Sequence, residues 1–132
     1  NRIPFLIAEP GRGLVGNAGV IQTEVVLIAS KGDADARPWV YLDVGKFGGL
    51  AETMDEAIQY PITSDRLGEA VPVILAGPTC DSADVLYERS RYLLPCDLEV
   101  GDRLEIGAAG AYTTTYAAVG FNGFDPLRAY CI

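Results

Sequence analysis

Short apolar, β-branched segments broken by glycine and proline turns constrain this chain more than any other feature. Fifteen glycines and eight prolines punctuate 132 residues, which leaves little room for long helices. Residues 19–30 are rich in valine, isoleucine and threonine and predict a strand, followed by the polar loop Lys31-Gly32-Asp33-Ala34-Asp35. Residues 38–44 and 71–76 predict two more strands, and Val100-Gly101-Asp102 reads as a hairpin turn before another over 103–106. The apolar residues 3–8 predict a buried strand ended by Glu9-Pro10-Gly11, the context of a parallel-barrel strand with a site at its carboxyl end. Helical signals are short. Residues 14–18 suit one turn, and residues 53–58 suit a short helix with Thr53 as cap and Glu56 completing a capping box. Residues 111–119 read as helical despite three consecutive threonines, and Leu93-Leu94-Pro95 reads as an interruption. The sum is a mainly β chain, a barrel or a sandwich.

Composition narrows the function. Hydrophobic residues make up 49 % of the chain and charged ones 21 %, ordinary values for a globular protein. The net charge of -8, with scattered arginines and lysines, argues against nucleic acid as a partner. The apolar run at 25–29 is far too short to cross a bilayer, so no membrane role is expected. Cys80, Cys96 and Cys131 show no C-x-x-C pattern, and there is no histidine, so no metal site is expected. Three free thiols suit a reducing, cytoplasmic location. The opening Asn1-Arg2-Ile3-Pro4-Phe5 reads as an interior start.

Three motifs carry possible chemistry. In Glu9-Pro10-Gly11-Arg12 a glycine permits close backbone approach to a phosphate beside an arginine fork, and a carboxylate there suits a protonated pyridine nitrogen. Taken alone, the tetrapeptide is equally a Pro-Gly type II turn with solvated charges. In Gly77-Pro78-Thr79-Cys80-Asp81-Ser82-Ala83-Asp84 a thiol precedes a carboxylate, a pair able to move a proton and to hold a substrate ammonium. Alone, it also suits a packed cysteine with Asp81 or Ser82 capping a helix through Leu86. Gly110-Ala111-Tyr112-Thr113 offers a phenol, with Phe121-Asn122-Gly123-Phe124 behind it; packing explains each of these aromatics equally well. Glu52, Asp55 and Glu56 suit a solvated helix face, on which adjacent Asp55 and Glu56 cannot both point at one site.

In this order and spacing, the motifs resemble the carboxy-terminal part of the pyridoxal-phosphate-dependent decarboxylases of ornithine, lysine, diaminopimelate and arginine. The resemblance covers essentially the whole chain, and residues 77–84 are its most specific piece. It implies a Greek-key-like carboxy-terminal β domain over 19–132, preceded over 1–18 by the last strand of a cofactor-binding (β/α)8 barrel. By the same resemblance Glu9 pairs with the pyridine nitrogen of pyridoxal 5'-phosphate, while Pro10-Gly11-Arg12 and Tyr112 hold its phosphate. Cys80 protonates the α-carbon after carbon dioxide leaves. Asp81 binds the distal ammonium of a small amino-acid substrate, and Asp55-Glu56, with Glu56 favoured, contacts the substrate's far end. Two subunits of a homodimer share each site, with Cys80-Asp81 reaching into the partner's. Aspartate after Cys80 suits ornithine or lysine; the diaminopimelate enzymes typically carry glutamate there. Neither Lys31 nor Lys46 lies in a motif like the family's Schiff-base lysine, so this stretch alone is expected to be inactive without an amino-terminal barrel portion. The alternatives are a diaminopimelate decarboxylase, or a catalytically inactive homologue acting as a binding or regulatory protein.

Overall fold

A computed structural model describes residues 2–32 and 36–132, so Asn1 and the last three residues of the expected loop at 31–35 lie outside the described residues. Six strands form one mixed sheet: β1 (Ile21–Ala29), β2 (Trp39–Leu42), β3 (Ile62–Ser64), β4 (Ala70–Ala76), β5 (Val85–Pro95) and β6 (Arg103–Ile106), in the order β3-β6-β1-β2-β4-β5. The mainly β expectation holds, and the sheet is curled into a half-barrel.

Strand β1 shows why. Ile21, Thr23 and Val25 point inward and are buried, while Gln22 and Glu24 face out, the period-two alternation of a half-buried strand. Its first half pairs with β6 and its second half with β2, with a register shift between Val25 and Leu27. That irregularity bends the strand and lets it serve both halves of the sheet. In β4, which runs parallel to β2, Val73, Ile74, Leu75 and Ala76 are all buried, as expected of a strand covered on both faces. Val73 and Leu75 join Leu42, Leu86, Leu94, Leu104 and Ile106 in the core.

Tyrosine hydroxyls join the two outer strands. On β5, the Tyr92 hydroxyl accepts the Ile62 amide at 2.9 Å and donates to the Tyr60 carbonyl at 2.7 Å. The Tyr87 hydroxyl accepts the Tyr60 amide at 2.9 Å and donates to the Ile58 carbonyl at 3.1 Å. The rings stack 4.7 Å apart. Two phenols thus replace the backbone ladder that would otherwise link this edge to the segment entering β3. Burial raises the pKa of both, which keeps the O–H needed for donation. Tyr92→Phe leaves a partly buried amide and carbonyl without their phenol partner and is expected to lower stability by about 1–3 kcal/mol, read by urea denaturation.

Four local expectations are corrected. Residues 3–8 form no strand; Phe5 is 91 % exposed, because no neighbouring strand in the described chain completes a ladder. Residues 111–119 hold only the single 3₁₀ turn Thr114–Tyr116, since Tyr112 takes a left-handed φ of 56°. Leu93-Leu94-Pro95 ends β5 rather than interrupting the fold. The expected capping box is absent: Thr53, fully buried inside the 3₁₀ turn Ala51–Glu56, donates its hydroxyl to the Leu50 carbonyl, and Glu56 points elsewhere.

Candidate functional site

The opening motif folds into a small cradle. Gly11 sits at φ 44°, ψ -124°, which glycine tolerates far better than other residues, and the short helix α1 (Arg12–Val15) follows. A Cβ at Gly11 would stand 3.1 Å from the Tyr112 hydroxyl, so the missing side chain leaves a gap facing a phenol. Two further glycines bring Tyr112 there. The Gly110 amide donates to the Gly16 carbonyl at 2.9 Å, and the Ala109 amide to the Gly19 carbonyl at 2.9 Å. A Cβ on Gly19 would lie 2.6 Å from the Gly110 backbone, and one on Gly110 would strike the Val15 carbonyl. The loop therefore packs directly on the backbone that follows α1.

Arg12 completes the cradle. Its guanidinium carbon lies 5.5 Å from the centre of the Tyr112 ring, and Nη2 pairs with Oε2 of Glu52. The Glu52 hydrogen bond raises the arginine pKa above its ordinary value. Tyr60 lies beside this pair; burial raises its pKa, and its hydroxyl feels both charges yet makes no hydrogen bond of good geometry. Gly11 and Arg12, neighbours in the chain, are thus brought together with Tyr112, a hundred positions on, while Glu9 and Pro10 are exposed beside them. A glycine gap, a phenol and an arginine fork suit a phosphate monoester.

The second motif connects β4 to β5. Cys80 and Asp81 are exposed, which removes the packed-cysteine reading and, with β5 beginning at Val85, the helix through Leu86. The Cys80 thiol lies 3.7 Å from Nδ2 of Asn122, and an Asp81 oxygen accepts the Ala83 amide at 2.8 Å. What fixes this loop is Asp84, only 2 % exposed. Its carboxylate accepts the Lys46 amide at 2.8 Å, the Thr79 amide at 3.1 Å and the Thr79 hydroxyl at 2.8 Å. Gly45 and Gly77 flank it, and a Cβ on either would collide with it.

Asp55 and Glu56 end the 3₁₀ turn Ala51–Glu56, both in the left-handed region. Their side chains diverge. Glu56 accepts three amides of β5, from Glu88 at 2.9 Å, Arg89 at 2.7 Å and Ser90 at 2.8 Å. Asp55 stays 92 % exposed, 3.8 Å from Arg89 Nη2. It shares an open cleft of about 780 Å³ with Lys46, Met54, Tyr116 and the Ser82-Ala83 pair that follows Cys80-Asp81. Burial opposes ionisation of Glu56, but the amides of Arg89 and Glu88, with Ser90, outweigh it and hold its pKa at about 2 against an ordinary 4.5. A depressed folded-state pKa adds stability above the unfolded value, lost as pH falls through the folded one. The thermal midpoint should therefore fall as pH drops from about 5 to about 2, and Glu56→Gln should flatten that slope.

Sequence reasoning missed three roles: Glu52 as the Arg12 partner, Asp84 as the brace of the Cys80 loop, and Glu56 as an anion capping β5 amides. Gly45 and Gly77 were a usable sign of the second, since each marks a place where the backbone approaches something closely. Among the described residues the side-chain hydrogen bonds of Cys80 and Asp81 run to Asn122 and Ala83, not to the Arg12 cradle.

Residues 7–110 match the family model described as pyridoxal-dependent decarboxylase, C-terminal sheet domain. Lysine/ornithine decarboxylase of Selenomonas ruminantium is 34 % identical over 116 residues, covering 88 % of this chain and 28 % of that protein. Diaminopimelate decarboxylase of Methanocaldococcus jannaschii is 36 % identical over 115 residues, covering 87 % and 25 %. Among solved structures, lysine/ornithine decarboxylase from Vibrio vulnificus, complexed with cadaverine, superposes with a TM-score of 0.75 at 35 % identity, covering 88 % of this chain and 30 % of that one. SrLDC in complex with PLP and cadaverine gives 0.75 at 33 % identity, covering 88 % and 29 %. The chain spans between a quarter and a third of the length of these relatives.

Proposed function

This chain belongs to the pyridoxal-dependent decarboxylase family, as its C-terminal sheet domain, and on that premise we propose that it forms part of an enzyme converting ornithine and/or lysine to the diamine. Residues 1–18 close a cofactor-binding barrel supplied by an amino-terminal portion, and residues 19–132 are the β domain. The enzyme is a cytoplasmic homodimer with shared sites. The observation that carries this reading is the cradle in which Gly11, Arg12 and Tyr112 converge on a space suited to phosphate.

When bound, pyridoxal 5'-phosphate supplies the electron sink that lets the substrate lose its carboxylate. This chain does the holding and the proton work. The Gly11 backbone, the Arg12 fork and the Tyr112 hydroxyl would hold the phosphate, and Glu9 would pair with the ring nitrogen. Carbon dioxide departs from the α-carbon and one proton takes its place; the Cys80 thiol, on an exposed loop of the partner subunit, delivers it. Asp81 receives the distal ammonium from the same loop. Of the two adjacent acids, Asp55 is the one with oxygens available to the far end of the substrate, because Glu56 has given its own to three amides.

A second reading, diaminopimelate as substrate, draws on relatives of that name at comparable identity. One assay separates the two: carbon dioxide release by the complete protein from ornithine, lysine, arginine and diaminopimelate. Release from ornithine or lysine is expected. Activity confined to diaminopimelate overturns the role given to Asp81.

A further inference from the structure

The Arg12 guanidinium is not idle in the cradle. Its charge is met by Glu52, forty positions along the chain, on the turn Ala51–Glu56. Both side chains are partly sheltered, at 32 % and 22 % exposure, so water screens the pair less than it would a surface pair. The backbone carrying Glu52 is held as well: its carbonyl accepts the Ile58 amide at 3.2 Å. On another side of the guanidinium lies the Tyr112 ring, whose hydroxyl borders the gap at Gly11. A phosphate entering that gap meets an arginine already engaged by a carboxylate.

We infer that Glu52 is a positioning residue that sets how tightly the cradle grips phosphate, by occupying the Arg12 fork and opposing a second anion beside it. The inference rests on the reading of Gly11-Arg12 as the phosphate site. Two effects compete. Glu52 holds Arg12 in place, which favours binding, and its charge repels phosphate, which disfavours it. Arginine presents five donors in a rigid plane, so its orientation survives with one acceptor on one edge. Glutamine still offers that acceptor. Charge therefore decides the sign: two anions sharing one guanidinium in a partly wet site repel enough to change affinity roughly five- to tenfold.

The test is a titration of the complete, cofactor-free protein with pyridoxal 5'-phosphate and, separately, with pyridoxal, which lacks the phosphate, followed by absorbance. Glu52→Gln is expected to lower the Kd for the phosphorylated form about five- to tenfold, to leave pyridoxal unchanged, and to lose its advantage as salt rises. Unchanged or weaker binding of the phosphorylated form overturns the inference, as does equal tightening for pyridoxal. Arg12→Gln tests the underlying reading on its own. It should weaken the phosphorylated form alone; if it does not, the phosphate-site assignment fails whatever Glu52 does.

Discussion

Replacing Cys80 with alanine in the complete protein should lower diamine formation by two orders of magnitude or more while leaving the cofactor bound. A positioned general acid contributes typically 10²–10⁴-fold, and alanine offers no proton. The thiol is well placed for such a role because it is exposed at the head of a braced loop, with the Asn122 amide 3.7 Å away and no apolar packing to lose. A fold defect is therefore not the expected cause of lost turnover. Cys96 and Cys131 are also exposed thiols, so alanine at those positions is the matched control and should leave turnover intact. Cofactor absorbance, read in the same samples, separates loss of the proton from loss of the prosthetic group. Unchanged product formation in Cys80→Ala removes the thiol from the mechanism.

The strands that period-two patterning identified are those whose neighbours confirm a locally visible pattern. In β1 the buried Ile21, Thr23 and Val25 alternate with exposed polar residues, and any such stretch prefers a half-covered sheet. Strand β5 escaped notice for a physical reason. Its middle, Glu88-Arg89-Ser90-Arg91, is polar and irregular, with Arg91 at φ 50°, and its amides are satisfied by Glu56 from a distant turn. No window around residue 90 contains that partner. The opposite error fell on residues 3–8, whose apolar run is strand-like by itself but needs ladder partners from outside the segment. The candidate site follows the same rule. Gly11, Arg12 and Tyr112 were nameable from motifs because each residue type has a chemical reason to meet phosphate. Their convergence depends on Gly110 lying against the carbonyls that follow α1, and the counter-charge on Arg12 comes from forty positions away. Residue type was local information; partnership was not.

Asp84→Ala is expected to be the most destabilising single change in the Cys80 loop, costing about 3 kcal/mol. Asp84 is a charged side chain at 2 % exposure, and its burial is tolerable only because three donors converge on it. Removing the carboxylate recovers its desolvation cost but strands the Lys46 and Thr79 amides and the Thr79 hydroxyl, each worth about 1–3 kcal/mol when buried without a partner. The penalty wins, and the thermal midpoint of the complete protein should fall. Asp84→Asn separates hydrogen bonding from volume. It keeps the size but turns one acceptor into a donor facing an N–H, so it should cost nearly as much as alanine. A neighbour gives the sharper check. A Cβ at Gly45 would lie 2.6 Å from Asp84 Oδ2 and 2.7 Å from Cγ, so Gly45→Ala alone should be severe. With Asp84→Ala the obstructing atoms are gone, and the same methyl enters the vacated space. The two substitutions should therefore be strongly non-additive, with Gly45→Ala nearly harmless in the alanine background. Simple additivity would mean that the carboxylate does not hold the two turns together, and the account of how the Cys80 loop is braced would fall with it.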